Sequence, residues 1–267
     1  MSTAAFDLTR GDGPLIVSIP HAGTMLPPEV AERLVPAALD VPDTDWHLPV
    51  LYDFVADFGA TVLAARASRY VIDLNRPPGG ESLYPGQATT GLCPTILFDG
   101  TPLYRPGAEP DDAETARRLE TWWKPYHAAL AAEIARVKAR HGYALLYDAH
   151  SIRSTLPRFF EGRLPDLNLG TARGTSVPEP LRAGLAEAVA AARAEGYTGV
   201  VDGRYVGGYI TRHYGRPAEN VPAMQMELVQ ATYMDEDQPF TFRPDLAARV
   251  RPVLRRVVEV FAGWQAQ

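Results

Sequence analysis

Short apolar runs alternating with stretches of helical spacing constrain this chain most strongly. Residues 15–19, 60–64, 70–74, 143–147 and 223–229 have the length and the β-branched or aromatic content of buried strands, and 167–171 is a further candidate. Between them lie helical patterns. The longest, 112–141, carries Leu119, Trp123, Tyr126, Leu130, Ile134 and Val137 on one stripe, and Pro125 inside it predicts a kink or local break unless its missing amide falls at a junction between two helices. Residues 178–195 and 244–264 repeat the pattern with Leu181, Leu185 and Val189, and with Val250, Val253, Val257 and Phe261. A short helix is expected from Pro27-Pro28 to about Pro36, and another over 45–58 ending at Gly59. Strands interleaved with helices predict a three-layer α/β/α fold around a central mixed sheet, one domain over residues 1–267. The irregular excursions, above all the Pro- and Gly-rich stretch 77–110, break the even repeat of a (β/α)8 barrel, and that stretch reads as an excursion over the surface or the active site whose length points to function.

Composition narrows the function. A hydrophobic share of 46% supports a sizeable core, and a net charge of −6 with interspersed signs provides no basic stripe for nucleic acid. The single cysteine, Cys93, excludes an intrachain disulfide framework and a Cys-rich zinc knuckle, as expected of a reducing cytoplasm. No basic region leads into an apolar stretch at the N-terminus, and no segment has the length of a membrane span. The expectation is a cytoplasmic protein acting on a small molecule.

Two histidines stand where apolar runs stop: Ser18-Ile-Pro-His21-Ala-Gly23 and Tyr147-Asp-Ala-His150-Ser151. In open α/β sheets the ligand crevice forms beyond the carboxyl ends of the strands, so two imidazoles there suggest a metal. A catalytic zinc ion takes three protein ligands and keeps one position open. Within Asp43-Thr-Asp45-Trp46, Asp45 is the preferred third ligand, with Asp43 and His47 as substitutes. A structural reading stands beside this one: Asp45 as a helix N-cap and the histidines as hydrogen-bonded strand-end residues.

Glu227 is the more unusual residue, a carboxylate inside the apolar run Met224-Gln-Met-Glu-Leu-Val229. Buried charge is costly without a partner, so it reads either as a general base or as an ion-paired or edge-strand residue. Asn75-Arg76 and Arg212-His213, the latter after Gly207-Gly208, offer cations for a carboxylate-bearing substrate, with ordinary salt bridges as the alternative. Cys93 has no local nucleophile signature, and no Gly-x-Ser-x-Gly, phosphate-loop or dinucleotide motif is present.

Taken in order, Ser18-Ile-Pro-His-Ala-Gly23, Asp43-Thr-Asp-Trp46, Ser68-Arg69 with Val71-Ile-Asp-Leu-Asn-Arg76, Asp148-Ala-His-Ser151, Gly207-Gly-Tyr-Ile-Thr-Arg-His-Tyr214 and Met226-Glu-Leu228 with Tyr233-Met-Asp-Glu236 resemble the N-formylglutamate deformylase (amidohydrolase) family over nearly the whole chain. The resemblance implies a zinc exopeptidase-like fold and hydrolysis of N-formyl-L-glutamate to formate and L-glutamate, the closing step of one histidine-degradation route. It implies zinc on His21, Asp45 and His150, Glu227 as the base, Asn75 and Arg76 with Arg212 on the substrate carboxylates, and His213 assisting the oxyanion or substrate. The related aspartoacylases and succinylglutamate desuccinylases carry an acid three residues after the first histidine. Thr24 stands there in this chain, so Asp45 must come from farther along. A hydrolase of another N-acyl acidic amino acid and a metal-free ligand-binding protein of the same fold remain as alternatives.

Overall fold

The computed structural model describes residues 4–81, 86 and 89–266. Seven strands form one mixed sheet: β1 (Phe6–Thr9), β2 (Leu15–Ile19), β3 (Thr61–Ala65), β4 (Leu145–Ile152), β5 (Leu167–Gly170), β6 (Gly199–Val201) and β7 (Ala223–Val229), in the spatial order β1-β3-β2-β4-β7-β5-β6. The central strands β3, β2, β4 and β7 run parallel, while β1 and β5 pair antiparallel at either side of them. Both faces are covered, so β2, β4 and β7 are buried throughout, as near-continuous apolar runs should be.

Helices α3 (Asp112–Arg118) and α4 (Lys124–His141) cover one face. Trp122, Trp123, Tyr126, Leu130, Ile134 and Val137 pack there against Ile16, Leu63, Leu146 and Ala223. The other face is covered by α2 (Leu48–Leu51), α5 (Glu179–Ala191) and α7 (Pro244–Ala262), whose Leu48, Leu181, Leu185, Val250, Val257 and Phe261 meet Val17, Tyr147, Leu169 and Met226. Two short helices, α1 (Pro28–Ala31) and α6 (Tyr209–Tyr214), complete the α-helices among the described residues. The expected three-layer α/β/α architecture is therefore present. No described helix is long and apolar enough to cross a membrane.

Several sequence expectations change in detail. Residues 70–74 are not a strand but a turn, and their apolar side chains Val71, Ile72 and Leu74 join the core beneath α4. The expected helix over 45–58 starts at Leu48 and continues as a 3-10 turn over Asp53–Phe58, so Asp45 lies before it and is not its N-cap. The 112–141 stretch divides into two helices, α3 and α4, as the two-helix expectation had it. A π-turn over Leu119–Trp123 joins α3 to α4 and puts Pro125 in the first turn of α4, where a missing amide costs little. Of the 77–110 excursion, residues 82–85, 87 and 88 lie outside the described residues.

Candidate active site

Strand register assembles the site. On one face of β4, Asp148 and His150 alternate with apolar residues of the opposite face, and their partners on β7 are Gln225 and Glu227. Ser18 of β2 pairs with Asp148, and Asn168 of β5 with Glu227. The polar residues inside apparently apolar strands thus form one patch on one sheet face. Because β4 extends to Ile152, His150 sits within the strand and not beyond its end. His21 lies two residues past β2, and its carbonyl accepts from the Asp45 amide at 3.0 Å, which fixes the loop that carries Asp45.

His21, Asp45 and His150 converge while all three are buried. Asp45 Oδ2 lies 3.1 Å from His150 Nδ1 and 3.7 Å from His21 Nδ1, and it also accepts from the Ser151 amide. The far nitrogens face carboxylates: His21 Nε2 donates to Asp73 Oδ1 at 2.7 Å, and His150 Nε2 to Asp148 Oδ2 at 2.9 Å. With Nε2 on a carboxylate in each ring, Nδ1 is the atom turned toward Asp45 and open to a cation once its proton is displaced; the 3.1 and 3.7 Å separations bracket the roughly 3.3 Å between donors on one tetrahedral zinc ion, and all three donor atoms lie within 4.8 Å of one another. Carboxylate-backed imidazoles are the usual outer shell of metal-ligating histidines. Asp45 Oδ1 accepts no hydrogen bond among the described residues and has the Arg69 guanidinium 3.6 Å away, so this buried oxygen keeps accepting capacity for the set. The donor set fits a divalent ion.

The charges follow from this packing. Burial pulls the His150 imidazole down, but Asp148 and Asp45 outweigh it and hold its pKa well above the ordinary value. Burial works against ionisation of Asp45 as well, yet hydrogen bonds from His150 and His21 keep it below the usual carboxylate range. Glu227 lacks such compensation. Desolvation, opposed by His150 and reinforced by Asp45, pushes it up to about 8.

A cavity adjoins the ligand cluster, lined by His21, His150, Glu227, Asn75 and Arg76. Asn75 Nδ2 donates to Asp148 Oδ2 at 3.0 Å and stands 2.9 Å from His150 Nε2, while Asn75 Oδ1 accepts from the Ile210 amide. Asn75 is thereby built into the scaffold around His150. Gly208 packs against it so closely that a Cβ there would lie 2.4 Å from Asn75 Nδ2, which accounts for the glycine. The Arg76 guanidinium is anchored by the Thr90 and Asn75 carbonyls.

Two expected residues lie elsewhere. Arg212 and His213 are on α6, outside the cavity lining. Arg212 Nε donates to the Gly207 carbonyl, and the exposed His213 stacks on Tyr209 with ring centroids 4.8 Å apart. A helix whose buried face carries Ile210 and Thr211 turns the next two side chains outward, a placement that the sequence pattern of a Gly-Gly loop did not reveal. The substitute ligands are also engaged elsewhere: His47 Nε2 donates to the Phe240 carbonyl, and Asp43 Oδ2 accepts from the Phe98 amide.

Sequence reasoning missed several residues. Asp73 and Asp148 had no role assigned, and Arg69, Arg204 and Gln225 also line the cavity. Arg69 bridges Asp73 at 2.8 Å and Asp45 at 3.6 Å, with its guanidinium over the Phe98 ring. Gln225 Oε1 accepts from the Gly208 amide, so its amide group faces Glu227 Oε2 at 3.2 Å and orients that carboxylate. The signal for Gln225 and Asp148 was available, since each lies two residues before a chosen residue on the same strand.

Comparison with known proteins identifies the family. The family model for N-formylglutamate amidohydrolase matches residues 13–234. An N-formylglutamate deformylase of Pseudomonas aeruginosa is 55% identical over 255 residues, covering 96% of this chain and 95% of the relative. One from Pseudomonas putida is 50% identical over 97% of this chain and 96% of its own. The crystal structure of an N-formylglutamate amidohydrolase from Ralstonia eutropha JMP134 superposes with a TM-score of 0.80 at 27% identity, covering 97% of this chain and 98% of that one. The chain belongs to the N-formylglutamate amidohydrolase family.

Proposed function

We propose that this chain hydrolyses N-formyl-L-glutamate to formate and L-glutamate at a divalent metal centre held by His21, Asp45 and His150. The observation that carries the reading is the convergence of two carboxylate-backed Nδ1 atoms on Asp45 beside Glu227, in a chain whose relatives at 50 and 55% identity are N-formylglutamate deformylases. Zinc suits a set of two imidazoles and one carboxylate. When bound, such an ion supplies Lewis-acid polarisation of the formyl carbonyl and a lowered pKa for the attacking water.

The side chains do the rest. Glu227 takes the proton of the attacking water and returns it to the departing glutamate nitrogen. A carboxylate raised to about 8 by burial has the proton affinity for both transfers near neutral pH. Gln225 orients Glu227 through its amide, and Asp73 and Asp148 hold the two imidazoles in the ligating tautomer. Arg76 offers its guanidinium to a substrate carboxylate, and Asn75 acts by holding His150 and Asp148 in place. A reducing cytoplasm suits the single cysteine.

Formate release from a panel of N-formyl amino acids and longer N-acyl glutamates tests the reading. N-formylglutamate is expected to give the highest kcat/KM. A preference for long acyl chains would overturn deformylation and favour another N-acyl acidic amino acid.

A further inference from the structure

We propose that Arg204 is the specificity-determining residue for the side-chain carboxylate of the substrate, an inference that rests on the deformylase reading. The three arginines that line the cavity differ in where they come from. Arg69 and Arg76 belong to the turn after β3 and are tied to the ligand cluster, Arg69 through Asp73 and Asp45 and Arg76 through Asn75 and Thr90. Arg204 comes from the connection after β6, on the opposite side of the β4–β7 pair that carries His150 and Glu227. Its Nε donates to the Phe159 carbonyl at 3.0 Å, and its guanidinium lies over the Tyr205 ring.

The chemistry of an N-acyl glutamate assigns the two ends. Its α-carboxylate is on the carbon that bears the scissile amide nitrogen, so it must stay close to the ligand cluster, within reach of the arginines tied to it. The side-chain carboxylate is removed from that carbon by two methylenes. Apolar Ile152 and Phe159 line the cavity and suit those methylenes, while Arg204 supplies a cation for the far end. Two cations on two sides of the reacting centre measure the length of a dicarboxylate, and one alone would accept any N-formyl amino acid.

Kinetics on N-formylglutamate and on N-formylglutamine, which differ only in that carboxylate, test this with wild type, Arg204→Gln and Arg204→Lys. Wild type is expected to favour N-formylglutamate. Arg204→Gln should lower kcat/KM for it about 10- to 100-fold, as loss of a charge-assisted hydrogen bond does, yet leave N-formylglutamine within about twofold. The lysine variant should fall between them. Retained activity on N-formylglutamine establishes that the variant is folded. Equal losses on both substrates, or an unchanged ratio, would overturn the role of Arg204 while leaving the deformylase reading intact. A wild-type enzyme inactive on N-formylglutamate would overturn both.

Discussion

Two histidine clusters meet at the segment 73–76 and have opposite chemistry. On one side, His21 and His150 each set Nε2 on a carboxylate and turn Nδ1 toward Asp45. On the other, His127 of α4 donates from Nε2 to the Leu74 carbonyl at 2.8 Å, meets the Tyr214 hydroxyl through Nδ1 at 3.0 Å, and stacks on Trp123. Both environments are buried. In the first, carboxylates hold the His150 pKa up against desolvation; in the second, desolvation dominates and His127 falls to about 4. Burial alone makes a neutral structural imidazole, and it takes carboxylate partners to make a set of ligands that calls for a cation.

The contrast can be broken from the ligand side first. His150→Ala should lose both bound metal and turnover, the latter on the order of 10³-fold or more, since several kcal/mol of Lewis-acid stabilisation disappear. Metal analysis and formate release on the same sample check this. Glu227→Gln should keep the metal while kcat falls about 10²- to 10⁴-fold, as loss of a general base does. Undiminished turnover in that variant would remove Glu227 from the mechanism. Asp148→Asn keeps the shape but removes the charge behind His150, and metal affinity measured by competition with a chelator should weaken about 10- to 100-fold.

The structural cluster predicts a stability effect and no metal effect. The folded-state pKa of His127, about 4, lies below its unfolded value, so between about 4 and 6.5 the unfolded chain binds the extra proton. Its contribution is complete above pH 6.5 and is lost as pH falls through that window, by up to about 3 kcal/mol. Denaturant unfolding of wild type and His127→Gln across this range should show the difference shrinking as pH falls. A constant difference would mean that His127 titrates normally. Metal content should be unchanged in this variant.

Much of the site was legible because its residues violate strand patterning. His21, His150 and Glu227 stand out as polar groups at or within apolar runs, and all three line one cavity. Asp45 was singled out as the start of a helix, whereas its position is set by the His21 carbonyl and the Ser151 amide, contacts across 24 and 106 residues that no local pattern encodes. Asp73 has the same kind of partner, His21 across 52 residues, whereas Asp148 carries a local signal, two residues before His150 on β4. The turn at 70–74 imitates a strand in composition because it too is buried, although beneath α4. The edge strands β1 and β6 are short and partly exposed, with too few apolar residues to register as periodic. Arg204 lies in a polar connection with no pattern, and only the closing of the sheet brings it to the cavity.

The central claim is that the carboxylate-backed cluster, not the aromatic one, holds a catalytic metal. Its most direct test is metal content and formate release from N-formylglutamate in protein purified without an affinity tag, before chelation, after it, and after readdition of zinc. About one ion per chain, loss of activity with the ion, and its return with zinc are expected. Undiminished formate release from protein shown to be free of metal would contradict the account.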